Sequence, residues 1–335
     1  MSGKEIKWFS VLIAAVLVAA LGLGWMGFRG AAPASVTPVV PLGAEALCVV
    51  TPSEQVRSLV VDDILNARKS VLVECYLISD PSIVQALQTA KLHGCDVRVI
   101  MEEAPFGGFS MNQTVRNELR SSGIDANWGN RVYSFTHAKY IVIDETTAWV
   151  MTANLSKSAF DKNREILIRT SSQSVVGDLV RIFSADRQRN PCAAGSLVVS
   201  PVNARQRLLG LLRGASHSVD IASEVLDDPE TCKLLQDLAG RGVIVHVLVA
   251  APESIASNAV TRSELEGTGV TIRYLETPYL HAKYIVVDKH LAYVGSHNLS
   301  AGSLDENREV GVVTDDSMVI STLETTFWGD WDSGV

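Results

Sequence analysis

The octapeptide HAKYIVID begins at His137 and returns as HAKYIVVD at His281, 144 residues later. A core strand has no need of a histidine or a lysine, so the return of both at one spacing constrains this chain more than any other feature. The copies lie inside a longer self-similarity, which has to be read before any fold is assigned. VVTP at Val49–Pro52 corresponds to VVSP at Val198–Pro201, and ARKSVLVECYLISDP at Ala67–Pro81 to ASHSVDIASEVLDDP at Ala215–Pro229. LHGCDVRVIM matches GRGVIVHVLV, TANLS (Thr152–Ser156) matches SHNLS (Ser296–Ser300), and NREILI (Asn163–Ile168) matches NREVGVV (Asn307–Val313). Each half therefore carries the same elements in the same order over about 145 residues. A chain of 335 residues, 47% hydrophobic, is large enough to bury two such units.

Within a half the elements alternate. SVLVECYL is β-branched and bounded by polar residues, which predicts a strand. PSIVQALQTAKLHG opens on Pro, closes on Gly and has helical apolar spacing. DVRVIM predicts a second strand, and strand–helix–strand of this size implies a parallel pair. KYIVIDETTAWVMT reads as a hairpin turning near Asp144–Thr146. The expected fold class is α/β: two tandem repeats packed as a pseudo-dimer with mixed sheets around one shared centre.

The N-terminus is a different kind of sequence. From Trp8 to Phe28 no residue is charged, and about 20 apolar helical residues cross a bilayer core. Lys4 and Lys7 precede the run and Arg29 follows it, which predicts a cytoplasmic N-terminus and a body outside. The expected organisation is an anchor over 1–30, a Pro-rich extended linker over 31–44, and domains over 45–192 and 193–335. Ala32-Pro33-Ala34 resembles a signal-peptide cleavage site, so a secreted body is the alternative. Because both motifs lie in one chain, a monomer is expected. The five cysteines are odd in number and form no CxxC, so no zinc site is expected; one or two disulfides stay open for an external body.

Side chains at i and i+2 share a strand face, so His137 projects with Lys139 and His281 with Lys283. Asp144 and Asp288 follow at an odd offset and are expected to be structural, at the hairpin turn. The return strands bring Asn154 and Asn298 back towards the histidines, and Glu165 and Glu309 each lie 28 residues beyond their histidine. These are the parts for attack on a phosphodiester. One neutral imidazole can attack phosphorus while a second, protonated one donates to the leaving oxygen. A carboxylate on Nδ1 would fix the tautomer, and two lysines with two asparagines can hold the phosphoryl oxygens without a metal or other cofactor. A single half supplies one histidine, and the reaction needs two. His297 lies beside these residues with either a ligand or a packing role; His93, His217, His246 and His290 read as surface or turn residues.

At these residues the chain resembles the phospholipase D superfamily, whose signature is H-x-K-x4-D-x6-G-S/T-x-N, usually present twice. The second half matches at His281, Lys283, Asp288, Gly295, Ser296 and Asn298. The first matches at His137, Lys139, Asp144, Thr152 and Asn154, with Met151 where Gly is preferred, a departure that would crowd the site or tilt the hairpin. The resemblance implies a ping-pong reaction through a phosphohistidine without metal, His137 as nucleophile and His281 as acid. It also implies that Thr152 and Ser296 assist phosphate binding and that Glu165 and Glu309 orient the histidines.

Fold and superfamily leave the substrate open. Phospholipid headgroup hydrolysis or exchange is the favoured expectation, because the apolar segment puts the site near lipid. The formal charge of −8 also disfavours a non-specific nucleic-acid binder. The loop Glu103–Asn112 carries Phe106, Phe109 and Met111, which would meet acyl chains, stack on bases, or fold back onto the body. A metal-independent nuclease is the alternative, and a phosphate-binding scaffold without catalysis is a third reading.

Overall fold

The structure is a computed structural model that describes residues 39–42, 46–106 and 109–335. The expected anchor over 1–30 and most of the 31–44 linker lie outside the described residues. Among the described residues no helix is long and apolar enough to cross a membrane.

The first half runs β1 (Leu47–Thr51), α1 (Glu54–Leu65), β2 (Ser70–Cys75), α2 (Pro81–Leu92), β3 (Asp96–Met101), α3 (Phe109–Ser121) and β4 (Asp125–Trp128). It continues with β5 (Lys139–Ile143), β6 (Thr147–Met151), α4 (Lys157–Asp161), β7 (Asn163–Thr170) and α5 (Gln173–Gln188). The second half repeats the order: β8 (Val198–Ser200), α6 (Ala204–Arg213), β9 (Ser218–Ser223), α7 (Pro229–Gly240), β10 (Ile244–Ala250), α8 (Ser257–Leu265) and β11 (Val270–Leu275). One short extra strand, β12 (Tyr279–Leu280), precedes β13 (Lys283–Val287), β14 (Leu291–Gly295), α9 (Ala301–Asp305), β15 (Glu309–Thr314) and α10 (Ser317–Ser333).

Each half builds a mixed sheet of one order. The first is β1-β7-β6-β5-β2-β3-β4 and the second β8-β15-β14-β13-β9-β10-β11. The β2-β3-β4 and β9-β10-β11 pairings are parallel, as the strand–helix–strand pattern requires, and the hairpins are antiparallel. The Asp-Pro pairs that align in the repeat start matching helices. Asp80 and Asp228 cap α2 and α7 through their side chains, and each is gripped by an arginine, Arg57 at 3.0 Å and Arg205 at 2.8 Å.

Both sheets contribute to a common core, with Tyr140, Ile168 and Phe183 of the first half packed in one cluster with Tyr284, Val312 and Phe327 of the second. Trp331 and Trp328 close it, and His246 is part of that closure rather than a free surface residue. Its ring lies 5.0 Å from each tryptophan, with Nδ1 2.9 Å from Asp220. The C-terminal end of the expected linker is not an extended tether. Val40 and Leu42 are buried in the common core, and Val40 N donates to Val313 O of the second half at 2.8 Å. No disulfide forms; all five cysteines are free.

Two arginines, Arg164 half-buried and Arg308 fully buried, tie the halves together, and both come from the repeated Asn-Arg-Glu. Arg164, in the first half, grips Asp330 of α10 through two hydrogen bonds of 2.7 Å. Arg308, in the second, donates to Asp186 of α5 at 2.8 Å and to the Tyr133 hydroxyl. Below Asp186 lies Glu74, fully buried and bonded by the Tyr140 hydroxyl at 2.6 Å. Burial, then repulsion from Asp186, pushes the Glu74 carboxyl well above the usual carboxylate range.

Candidate active site

The histidines stand two residues ahead of β5 and β13, and the segments leading to them cross to the other half. β12 runs parallel to the start of β7, pairing Tyr279 with Asn163 and Leu280 with Arg164, so His281 N donates to Arg164 O at 3.1 Å. The counterpart is a parallel bridge between Thr136 and Arg308, with His137 N donating to Arg308 O at 2.8 Å. Each histidine is thereby delivered to the glutamate of the opposite Asn-Arg-Glu. His137 Nδ1 lies 2.8 Å from Glu309 Oε2. His281 Nδ1 lies 2.7 Å from Glu165 Oε1, a close contact out of line for a well-aligned hydrogen bond. Both glutamates are fully buried, and each is held from behind by its own Asn, Asn307 at 3.1 Å and Asn163 at 3.5 Å.

Burial lowers the His137 pKa against the opposing pull of Glu309, which favours the neutral ring. Burial also works against ionisation of Glu309, but the His137 contact, His297 and Lys139 together bring it down to about 2. A neutral imidazole donating Nδ1–H to a carboxylate leaves the Nε2 lone pair available. Lys139 and Lys283 open β5 and β13, and each ammonium donates back to its histidine carbonyl, at 2.8 and 2.5 Å. Burial, and the neighbouring Lys283 despite Glu309, depress Lys139 to about 8. The exchanged His137–Glu309 and His281–Glu165 contacts bring residues of both motifs together where the halves meet.

The asparagines differ. Asn298 is engaged, its Oδ1 accepting from Val225 N at 3.3 Å and its Nδ2 donating to Glu224 at 3.4 Å, whereas Asn154 Oδ1 is buried without a partner. Asp144 accepts from the backbone N–H groups of Arg68, Lys69 and Ser70, and Asp288 from those of Ser216, His217 and Ser218. Both aspartates pin the hairpin turn to the sheet, away from the histidines.

The Thr152 hydroxyl donates to Glu165 at 2.7 Å and the Ser296 hydroxyl to Val310 O at 3.3 Å. They lock the return strand to the Asn-Arg-Glu strand. Met151 does not crowd the site. It is buried in the outer core of the first half with Trp149, Ala153 and Leu167. The equivalent Gly295 faces Gly311, and a Cβ there would meet the Tyr293 hydroxyl at 2.3 Å and the Gly311 Cα at 2.5 Å. The glycines make room for a Tyr293–His297 pair (2.6 Å) that the first half replaces with Trp149 and Ala153. His297 is thus buried, its pKa lowered to about 4 by desolvation.

Two neighbours carry no motif signature. Tyr76 and Glu224 each follow the strand that pairs with H-x-K. Tyr76 sets its ring 4.6 Å from His137 and beneath Lys139, at 5.2 Å. Glu224 reaches Lys283 at 2.8 Å and His281 Nε2 at 3.5 Å. The aligned repeats hold the only sequence signal for them, an unlike pair at equivalent positions after a shared strand. Phe106, in the loop after β3, is almost wholly exposed (94%) while its N–H donates to the Tyr76 hydroxyl at 2.6 Å. Phe109–Asn112, the end of the expected loop, begin α3 instead. A cavity of 440 Å³ lined by Glu102, Glu103, Arg131 and Tyr133 holds none of the motif residues.

The family described as "Cardiolipin synthase, PLD-like domain" matches residues 60–187 and 208–331. The human mitochondrial cardiolipin hydrolase is 27% identical over 170 residues, covering 50% of this chain and 67% of its own length. The 5'-3' exonuclease PLD3 of Bos taurus is 34% identical over 128 residues, covering 32% of this chain and only 26% of its own. The phosphatidylserine synthase structure of Haemophilus influenzae shares the fold at a TM-score of 0.64 and 14% identity, over 86% of this chain and 87% of its own. With the domain matched twice and each motif histidine set against a glutamate of the opposite half, the chain belongs to the phospholipase D superfamily.

Proposed function

We propose that this protein is a phosphodiesterase that hydrolyses or exchanges the headgroup of a phospholipid through a covalent phosphohistidine. In the first step His137 Nε2 attacks phosphorus; the P–N bond forms as the bond to the leaving oxygen breaks, and His281 gives that oxygen its proton. In the second, water or an alcohol attacks the phosphohistidine, the P–N bond breaks, and the attacking oxygen returns its proton to His281. Lys139, Lys283, Asn154 and Asn298 hold the phosphoryl oxygens and offset their growing charge. None of these steps calls on a metal.

The observation that carries the reading is the exchanged pair of His–Glu contacts, which sets a buried carboxylate beside Nδ1 of each imidazole and leaves Nε2 as the nitrogen on the far side of the ring from that carboxylate. Lipid is favoured over nucleic acid by the exposed Phe106 tied to Tyr76 beside His137, an apolar foot at the mouth of the site, and by the net acidity of the chain. The cardiolipin relatives point the same way; the exonuclease relative makes nucleic acid the necessary control. Full-length protein in EDTA should release headgroup from cardiolipin, phosphatidylglycerol or phosphatidylcholine vesicles and leave single-stranded DNA intact. DNA cleavage without lipid turnover would move the substrate to nucleic acid, and loss of lipid turnover in EDTA would remove the metal-free chemistry.

A further inference from the structure

The two motifs are not equivalent, because the residue after the neighbouring strand is Tyr76 in one half and Glu224 in the other. On the first side the Lys139 ammonium bonds the His137 carbonyl above an aromatic ring, and the Asn154 amide oxygen has no partner. On the second, a single carboxylate oxygen gathers the motif. Glu224 Oε2 accepts from Lys283 Nζ at 2.8 Å and from Asn298 Nδ2 at 3.4 Å, and lies 3.5 Å from His281 Nε2. Its other oxygen accepts from the Tyr279 hydroxyl at 2.7 Å, which fixes the direction of the group. Lys283 and Asn298 are the donors assigned above to the phosphoryl oxygens and His281 is the proposed acid beside them, so Oε2 sits at the point where a phosphoryl oxygen would be held. Burial resists the charge on Glu224, but His281 and Lys283 more than offset it and hold the carboxyl ionised.

We propose that Glu224 is a specificity-determining residue: its carboxylate holds the phosphoryl-oxygen seat of the second motif in the resting protein, and its charge sorts phosphates by theirs. A singly charged diester takes the seat in preference to a doubly charged monoester or inorganic phosphate. The inference rests on the phosphoryl-binding reading of the site. Its physical reason is that like-charge repulsion at a few ångströms, in a partly desolvated pocket, grows with the charge of the ligand. A repulsive group selects as effectively as an attractive one. The consequence is directional: hydrolysis of a diester creates a monoester, which the same carboxylate disfavours, so the product is expelled.

The test is isothermal titration of the full-length protein and its Glu224→Gln variant with inorganic phosphate and with dimethyl phosphate. At about pH 8 a monoester carries close to two charges. Glu224→Gln is expected to bind inorganic phosphate at least tenfold tighter, about 1.4 kcal/mol, and dimethyl phosphate by a clearly smaller factor. Glu224→Ala should shift both in the same sense, and adding Lys283→Ala to Glu224→Gln should erase the gain, locating it at this seat. Unchanged or weaker phosphate binding in a Glu224→Gln variant that melts like wild type would overturn the proposal, because the carboxylate would then support Lys283 rather than exclude dianions. Equal gains for both ligands would overturn it too. Titration needs no turnover, so the readings separate: a phosphate gain without cleavage of any diester removes the enzymatic reading alone, and cleavage without the gain removes this one alone.

Discussion

Glu309→Gln is the sharpest probe of the exchanged histidine–glutamate pairs. The substitution keeps size and shape and removes the charge that accepts Nδ1–H of His137 at 2.8 Å. A hydrogen bond to a charged partner contributes about 1.5–3 kcal/mol, and the amide can also turn its NH2 to the ring and favour the wrong tautomer. About 3 kcal/mol corresponds to roughly two decades in rate, so kcat should fall about 100-fold or more with KM little changed. Headgroup release from vesicles should be measured beside cleavage of an aryl phosphodiester, whose leaving group needs no proton. Glu309→Gln should be slow on both substrates, since attack by His137 is impaired. Glu165→Gln, which disturbs His281 instead, should be slow on lipid and largely restored in the first-turnover burst of aryl release, the step in which the leaving group needs no acid. Near wild-type turnover by Glu309→Gln would refute the reasoning, and the opposite pattern of restoration would exchange the roles of the two histidines.

Further outcomes follow from the same geometry. Lys139 is depressed to about 8, so its ammonium is present below that pH and lost as pH rises through it; kcat/KM should decline above about pH 8, and a pH profile of Lys139→Arg should lack that limb. Arg308→Ala leaves the buried Asp186 unpaired beside Glu74 and should cost about 3–5 kcal/mol in urea unfolding; an effect below about 1 kcal/mol would mean the clasp does not join the halves. Met151→Gly should lower stability by about 2–5 kcal/mol through the cavity it opens without raising kcat, whereas a gain in kcat would show that Met151 does crowd the site. Asp288 is lowered to about 2 chiefly by backbone N–H groups acting against burial. Asp288→Asn should therefore cost about 1–2 kcal/mol at pH 7, a difference present above pH 4 and lost as pH falls through about 2 in acid denaturation.

Much of the site was legible because duplication writes it twice. His137, Lys139 and Asn154 recur with their spacings at His281, Lys283 and Asn298, and the Asp-Pro helix starts fall into register. The hairpin aspartates were legible too, since an odd offset from the histidine points them off the histidine face. The partners of the Thr152 and Ser296 hydroxyls were not legible, because a motif position tells which residue is present but not which neighbour takes its proton.

The sequence by itself determined the architecture: two copies of one α/β unit, and two imidazoles where one unit offers a single one. Only the tertiary structure decided that each glutamate serves the histidine of the other half. Both glutamates lie 28 residues past their own histidine, and the exchange arises where the segments before His137 and His281 run along the opposite Asn-Arg-Glu strands. Spacing along the chain records neighbours within a half, while contacts across the pseudo-twofold depend on how two sheets pack. For the same reason Tyr76 and Glu224, silent in the motif, became part of the site only when β5 and β13 were laid beside β2 and β9.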